Sequence, residues 1–136
     1  MKNIIERIKG LNFPADQYVV VGSGLLDALG IRKAADIDIA VLPDLHKKLC
    51  EDSDYEKYEK YGKVFLKKED VDIIPSLSWS EYPTTTEEAI RSAMIIDNIP
   101  FMNPQELKKF KQALGRDKDI KDIRLIDDYL STVNTR

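Results

Sequence analysis

The spacing of apolar positions along this 136-residue chain changes several times, and each change predicts a new element. In "NIIERIKGL", Ile4, Ile5, Ile8 and Leu11 recur at helical spacing, which predicts a short amphipathic opening helix. After Pro14 the β-branched run "QYVVVG" predicts a strand, and "SGLLDALG" a short helix stopped by Gly30. "DIDIAVL" predicts a second strand ended by Pro43, and "PDLHKKLCED" a helix that tolerates Pro43 in its first turn. "SDYEKYEKYG" reads as loop or the start of a strand. "KVFLKK" and "VDIIPSL", separated by the short "EDV" break, predict an antiparallel hairpin. "SWSEYPTTT" is a loop, and "TEEAIRSA" begins like a helix with Thr86 ahead of an acidic first turn. "MIID" and "IPFM" are short extended pieces. From Asn103 on, Leu107, Phe110 and Leu114, then Ile120, Ile123, Ile126 and Leu130, predict two helices joined around Gly115-Arg116.

Strands interspersed with helices place the chain in the α/β (α+β) class, a small mixed β-sheet with helices packed against it. No repeat or low-complexity linker divides it. A single domain over 1–136 is expected, with a sheet core in 1–102 and a C-terminal helical pair in 103–136. Hydrophobic residues at 43% and charged residues at 33% are those of an ordinary globular chain. A net charge of -3 excludes an overall basic pull towards nucleic acid, so any attraction to phosphate must be local. The lone Cys50 excludes an internal disulfide, and the lone His46 leaves no His/Cys zinc set. No apolar run approaches the ~20 residues of a membrane span. "MKNIIERIKGL" carries charges throughout, unlike a secretory leader, and a cytoplasmic location is expected.

The chemistry concentrates in "VVVGSGLLDALGIRKAADIDIAV". Residues i and i+2 of a strand share a face, so Asp36 and Asp38 would stand side by side within an apolar run. Two carboxylates that close repel unless a cation lies between them, and hard divalent ions favour such oxygen ligands. The spacing alone is uninformative, because Asp-x-Asp recurs at Asp52/Asp54, Asp70/Asp72 and Asp117/Asp119. The apolar setting at positions 37 and 39–42 is what singles out Asp36 and Asp38, since buried charge demands compensation.

Gly22-Ser23-Gly24 follows a strand and opens a helix, where backbone N–H groups favour an anion and Ser23 can add a hydroxyl. It fits neither of the common glycine-rich nucleotide motifs, and an ordinary strand-to-helix turn remains an alternative. Asp72, in the apolar "VDIIP", is the candidate third carboxylate if its strand lies beside "DIDIAV". Such a residue can accept the proton of an attacking hydroxyl. Arg32 and Lys33 precede the acidic strand and are natural neighbours for phosphate, or plain loop charges. Lys111 lies close to the apolar stripe of its helix, so its stem can be buried with the head in a cleft. The basic residues around it read equally as a solvated helix face. His46 reads as a surface residue, Cys50 as partly buried, and Trp79 and Tyr82 as a stacking pair or as edge packing.

Gly-Ser, Asp-Ile-Asp and a later strand aspartate together resemble the minimal nucleotidyltransferase domains of the DNA polymerase β-like superfamily. The segment "GLLDALGIRKAADIDIAV" is most similar to the branch of antibiotic nucleotidyltransferases and abortive-infection type nucleotidyltransferase toxins. "NPQELKKFKQALGRDKDIKDIRLI" is similar to that branch's C-terminal pattern of a helical lysine, an arginine, then Lys-Asp-x-x-Asp. The resemblance covers about half of the chain. It implies a nucleotidyltransferase fold in which Asp36, Asp38 and Asp72 bind Mg²⁺, as a two-metal site, and act in catalysis. It implies that Gly22 and Ser23 hold the nucleotide phosphates and that Lys111, Arg116 and Lys118 approach the phosphates or the acceptor, with Asp119 and Asp122 orienting them; Arg32, by its position, joins the nucleotide-binding candidates. The implied reaction moves a nucleoside monophosphate from a nucleoside triphosphate to an acceptor, releasing pyrophosphate. The acceptor would be a small molecule, a protein or an RNA, and an antitoxin-like protein partner belongs to the same picture. A module of the same fold without turnover, binding nucleotide or a partner, and a purely structural role for the pattern remain open alternatives.

Overall fold

All four residues of Tyr18–Val21 (β1) are buried, which is why this strand reads as an unbroken apolar run instead of an alternating one. The computed structural model describes residues 3–134 and places β1 near the middle of a seven-stranded mixed sheet. The chain runs through α1 (Ile4–Lys9), β1, α2 (Gly24–Ala28), β2 (Ile37–Val41) and α3 (Pro43–Cys50). It continues through β3 (Glu56–Lys60), β4 (Lys63–Lys68), β5 (Val71–Ile74), α4 (Thr86–Arg91), β6 (Met94–Ile96) and β7 (Ile99–Phe101). Two helices, α5 (Pro104–Leu114) and α6 (Asp117–Asn134), close the described chain. The strand order is β3-β4-β5-β2-β1-β7-β6. β1 is antiparallel to β2 and parallel to β7, while β2 and β5 are parallel, so the sheet is mixed as the sequence predicts. Among the described residues no helix is long and apolar enough to cross a membrane.

Val19, Val20, Ile39, Leu66, Ile73, Phe101, Met102 and Leu107 are completely buried in one continuous core. Each such side chain contributes about 1.5–3 kcal/mol relative to its exposed state. Gly24 explains how α2 starts so close to β1: a Cβ there would lie 2.5 Å from Val20 Cγ1. Two hairpins turn on residue pairs with positive φ, Tyr61-Gly62 between β3 and β4 and Asp97-Asn98 between β6 and β7. That backbone matches the twist of the flanking strands.

Three expectations change. "EKYEK" is a full strand, because pairing with β4 holds it although every residue is exposed; its alternating charges blunt the sheet edge. The cap of α4 is Thr85, not Thr86. Glu88 lies three residues beyond Thr85 and completes a capping box, while Thr86 is buried and its hydroxyl accepts from the Leu77 N–H. Ile120 is 49% exposed and leaves the apolar stripe of α6, which Ile126 anchors in the core.

Candidate functional site

The end of β1 turns through Gly22, whose φ of +66° suits glycine, and a Cβ there would lie 3.1 Å from Asp38 Oδ2. The turn and the carboxylate are therefore in direct apposition. Across the sheet, Asp38 is the register partner of Val21 on one side and of Asp72 on the other. The parallel pairing of β2 with β5 thus brings Asp38 and Asp72 onto one face. Asp36 departs from the expected position in the strand. It lies one residue ahead of β2, exposed, whereas Asp38 is half-buried within it.

Burial first, then the nearby charges of Asp72 and Asp36, push the Asp38 carboxyl up to about 6, against the opposing pull of Lys111 and Lys118. Asp72 and Asp36 therefore both act on Asp38, and Lys111, Lys118 and Arg116 are cations within reach of it. Asp72 has partners of its own: Tyr58 Oη donates to its Oδ1 at 3.3 Å, and Lys67 Nζ lies 3.6 Å from the same oxygen. Among the described residues no three His, Cys, Asp or Glu side chains are gathered into a metal-binding group.

Behind the turn lies a buried polar network that ties the start of the chain to its end. Lys111 Nζ on α5 is 2.9 Å from Asp122 Oδ2 and 3.4 Å from Asp119 Oδ1 on α6, with all three residues buried. Arg32 grips Asp122 with two bonds of 2.7 Å, and Arg116 donates to Asp119 at 2.6 Å. Ser23 Oγ accepts from Arg32 at 2.6 Å and from Lys111 at 3.2 Å, and donates to Asp122 at 3.2 Å. Burial alone would raise the Asp122 carboxyl, but hydrogen bonds from Arg32 and Lys111 outweigh it and hold the group at about 2. Asp119 is likewise held below its ordinary value, burial being overcome by Arg116 and Lys111. The loop that carries Arg32 is fixed by the Ala34 N–H donating to Asp27 Oδ2 at 2.9 Å.

Every nucleotide-site residue expected from the sequence falls around this junction, but not all as expected. Gly22, Ser23, Arg32 and Lys111 meet at the turn, with Arg116 held on Asp119 beside it. Ser23 gives its proton to Asp122, so its hydroxyl acts as the knot of the network. At five residues α2 has too little length for its dipole to dominate, and positive charge here comes from side chains. Lys118 is exposed and among these cations is the one shown only through its field on Asp38.

The remaining acidic pairs have separate roles. Asp52 caps the Asp54 N–H, and Asp70 pairs with Arg7. His46 bonds to the Val64 carbonyl, docking α3 on β4, and Tyr82 is buried against Trp79 and Phe110 with its hydroxyl on Glu106. The sequence reading missed Tyr58 and Lys67. Counting back from the Tyr61-Gly62 turn pairs Tyr58 with Phe65, and the next turn pairs Lys67 with Asp72.

No family model matches the chain, and no curated protein matches it.

Proposed function

We propose that the chain is a Mg²⁺-dependent nucleotidyltransferase that moves a nucleoside monophosphate from a nucleoside triphosphate to an acceptor hydroxyl, releasing pyrophosphate. One observation carries the reading: Asp38 faces Asp72 across two parallel strands, with Gly22 against its carboxylate and the Ser23 network behind the turn. Asp36, Asp38 and Asp72 offer the oxygen ligands a hard cation prefers, and the charge of Asp72 and Asp36 against Asp38 is what such an ion would relieve. These three residues would hold it, and the ion would supply charge stabilisation for an in-line displacement. Lys111, Arg116 and Lys118 place positive charge beside the carboxylates for the triphosphate, with Arg32 anchoring the turn. In this reading Asp72 takes the proton of an attacking hydroxyl. A triphosphate substrate and a Mg²⁺ cofactor suit a cytoplasmic protein, and the acceptor is a small molecule, a protein or an RNA.

A second reading, a nucleotide- or partner-binding module of the same fold without turnover, draws on the hold that Tyr58 and Lys67 have on Asp72. Label transfer separates the two. Incubation of the protein with cell extract and Mg²⁺ should pass label from an α-phosphate-labelled triphosphate, but not from a γ-labelled one, to an acceptor. Transfer from neither label rejects turnover, and transfer from the γ position points to a kinase.

A further inference from the structure

One hydroxyl of the chain itself lies against a carboxylate of the proposed site. Tyr58 Oη donates to Asp72 Oδ1 at 3.3 Å, and its ring stacks on Phe65 with centroids 5.6 Å apart and an interplanar angle of 29°. Register places Tyr58, Phe65, Lys67, Asp72 and Asp38 on one sheet face, since Tyr58 pairs with Phe65, Lys67 with Asp72, and Asp72 with Asp38. The Tyr58 side chain is 38% exposed, so it sits at the open margin of the site and not within the core. A phosphoryl-transfer site needs an attacking hydroxyl held by a carboxylate that can take its proton, and Tyr58 holds that position.

We propose that Tyr58 is a self-modification site, to which the chain transfers a nucleoside monophosphate from a nucleoside triphosphate. The inference rests on the nucleotidyl-transfer reading. A bond forms between Tyr58 Oη and the α-phosphorus, and the bond from that phosphorus to the bridging oxygen of the β-phosphate breaks. The phenolic proton passes to Asp72 Oδ1 and then to water, and pyrophosphate leaves with the bridging oxygen. The product replaces a neutral hydroxyl with an anionic phosphodiester beside Asp72. Lys67, 3.6 Å from the same Asp72 oxygen, is the cation placed to neutralise it. The modified side chain fills the acceptor position, so the reaction stops at one nucleotide per chain.

Tyr61, three residues away and 84% exposed, is the internal control, because accessibility alone would favour it. The full chain is incubated with ATP, GTP, CTP or UTP and Mg²⁺, and intact mass and peptide mapping locate the adduct. One nucleoside monophosphate on Tyr58 is expected, absent in Tyr58→Phe, retained in Tyr61→Phe and reduced at least about tenfold in Asp72→Asn. An adduct on Tyr61, or none on a chain that binds triphosphate with Mg²⁺, overturns the inference; the second result leaves the proposed function standing. A chain that binds no triphosphate overturns both. A readout free of turnover is the Tyr58 ¹³Cζ resonance in nucleotide-free protein. Asp72→Asn should move it and leave that of Tyr61 in place, and an unmoved Tyr58 resonance contradicts the contact on which the inference stands.

Discussion

In metal-free buffer at pH 7, Asp38→Asn should melt at a higher temperature than the wild-type chain, and with Mg²⁺ restored the proposed nucleotidyl transfer should fall by about a hundredfold or more. The two effects have one cause. Burial, Asp72 and Asp36 push the Asp38 carboxyl up to about 6, so its charged form is disfavoured in the folded state. Between its ordinary value near 4 and its folded value the native state binds more protons than the unfolded one. Stability from this group therefore falls as pH rises through that window. The asparagine removes the charge at nearly the same volume, relieving about 2 kcal/mol at pH 7 once solvent access is discounted. For a domain of this size that corresponds to a rise of roughly 5 °C. Urea unfolding in chelator should show the two proteins drawing together as pH falls towards 4 and separating at pH 7. Equal stability at both values would mean that the carboxylates do not strain one another.

Lys111→Met should act in the opposite direction, lowering stability by about 3 kcal/mol and the melting temperature by roughly 10 °C. Lys111 is buried between Asp119 and Asp122, and its removal leaves two buried carboxylates with only Arg116 and Arg32 to compensate them. Methionine matches the length of the stem, so the loss reports on charge and not on a cavity. Coupling is the stricter criterion. Adding Asp122→Asn to Lys111→Met should cost less than the sum of the single changes, because the unpaired charge is gone. The Asp122 carboxyl is held at about 2, so its contribution is complete above its ordinary value near 4 and is lost as pH falls through the folded value. The difference between wild type and Lys111→Met should therefore persist at pH 5. A melting temperature within about 2 °C of wild type would show the network to be solvated and weak.

The valine run of β1 and the apolar setting of Asp38 were readable directly, because both strands are buried at the sheet centre and their side chains leave little choice of element. Asp72 was readable in type and in strand. Its placement opposite Asp38 depends on a parallel pairing that local pattern does not specify, since β5 reaches β2 only after the β3-β4 excursion. The strand boundary at Asp36 was not readable for a related reason. Period-two spacing predicts Asp36 within the strand beside Asp38, whereas β2 begins at Ile37 and Asp36 lies exposed one residue ahead of it, still acting on Asp38. The role of Ser23 was beyond local reading, because its partners Lys111 and Asp122 lie 88 and 99 residues away in sequence. Tyr58 was missed although its register was available, because a wholly exposed "EKYEK" has no hydrophobic alternation to announce a strand. Thr85 was likewise available from the spacing to Glu88.

In the proposed function Asp36, Asp38 and Asp72 form one metal-dependent triphosphate site with the turn at Gly22. Calorimetric titration of an α,β-methylene triphosphate, with Mg²⁺ and with chelator, tests that site without chemistry, because the analogue cannot turn over. Binding should require Mg²⁺ in the wild-type chain and fall at least about tenfold in Asp38→Asn. Binding of equal strength with and without Mg²⁺, or unchanged in Asp38→Asn, would contradict the claim.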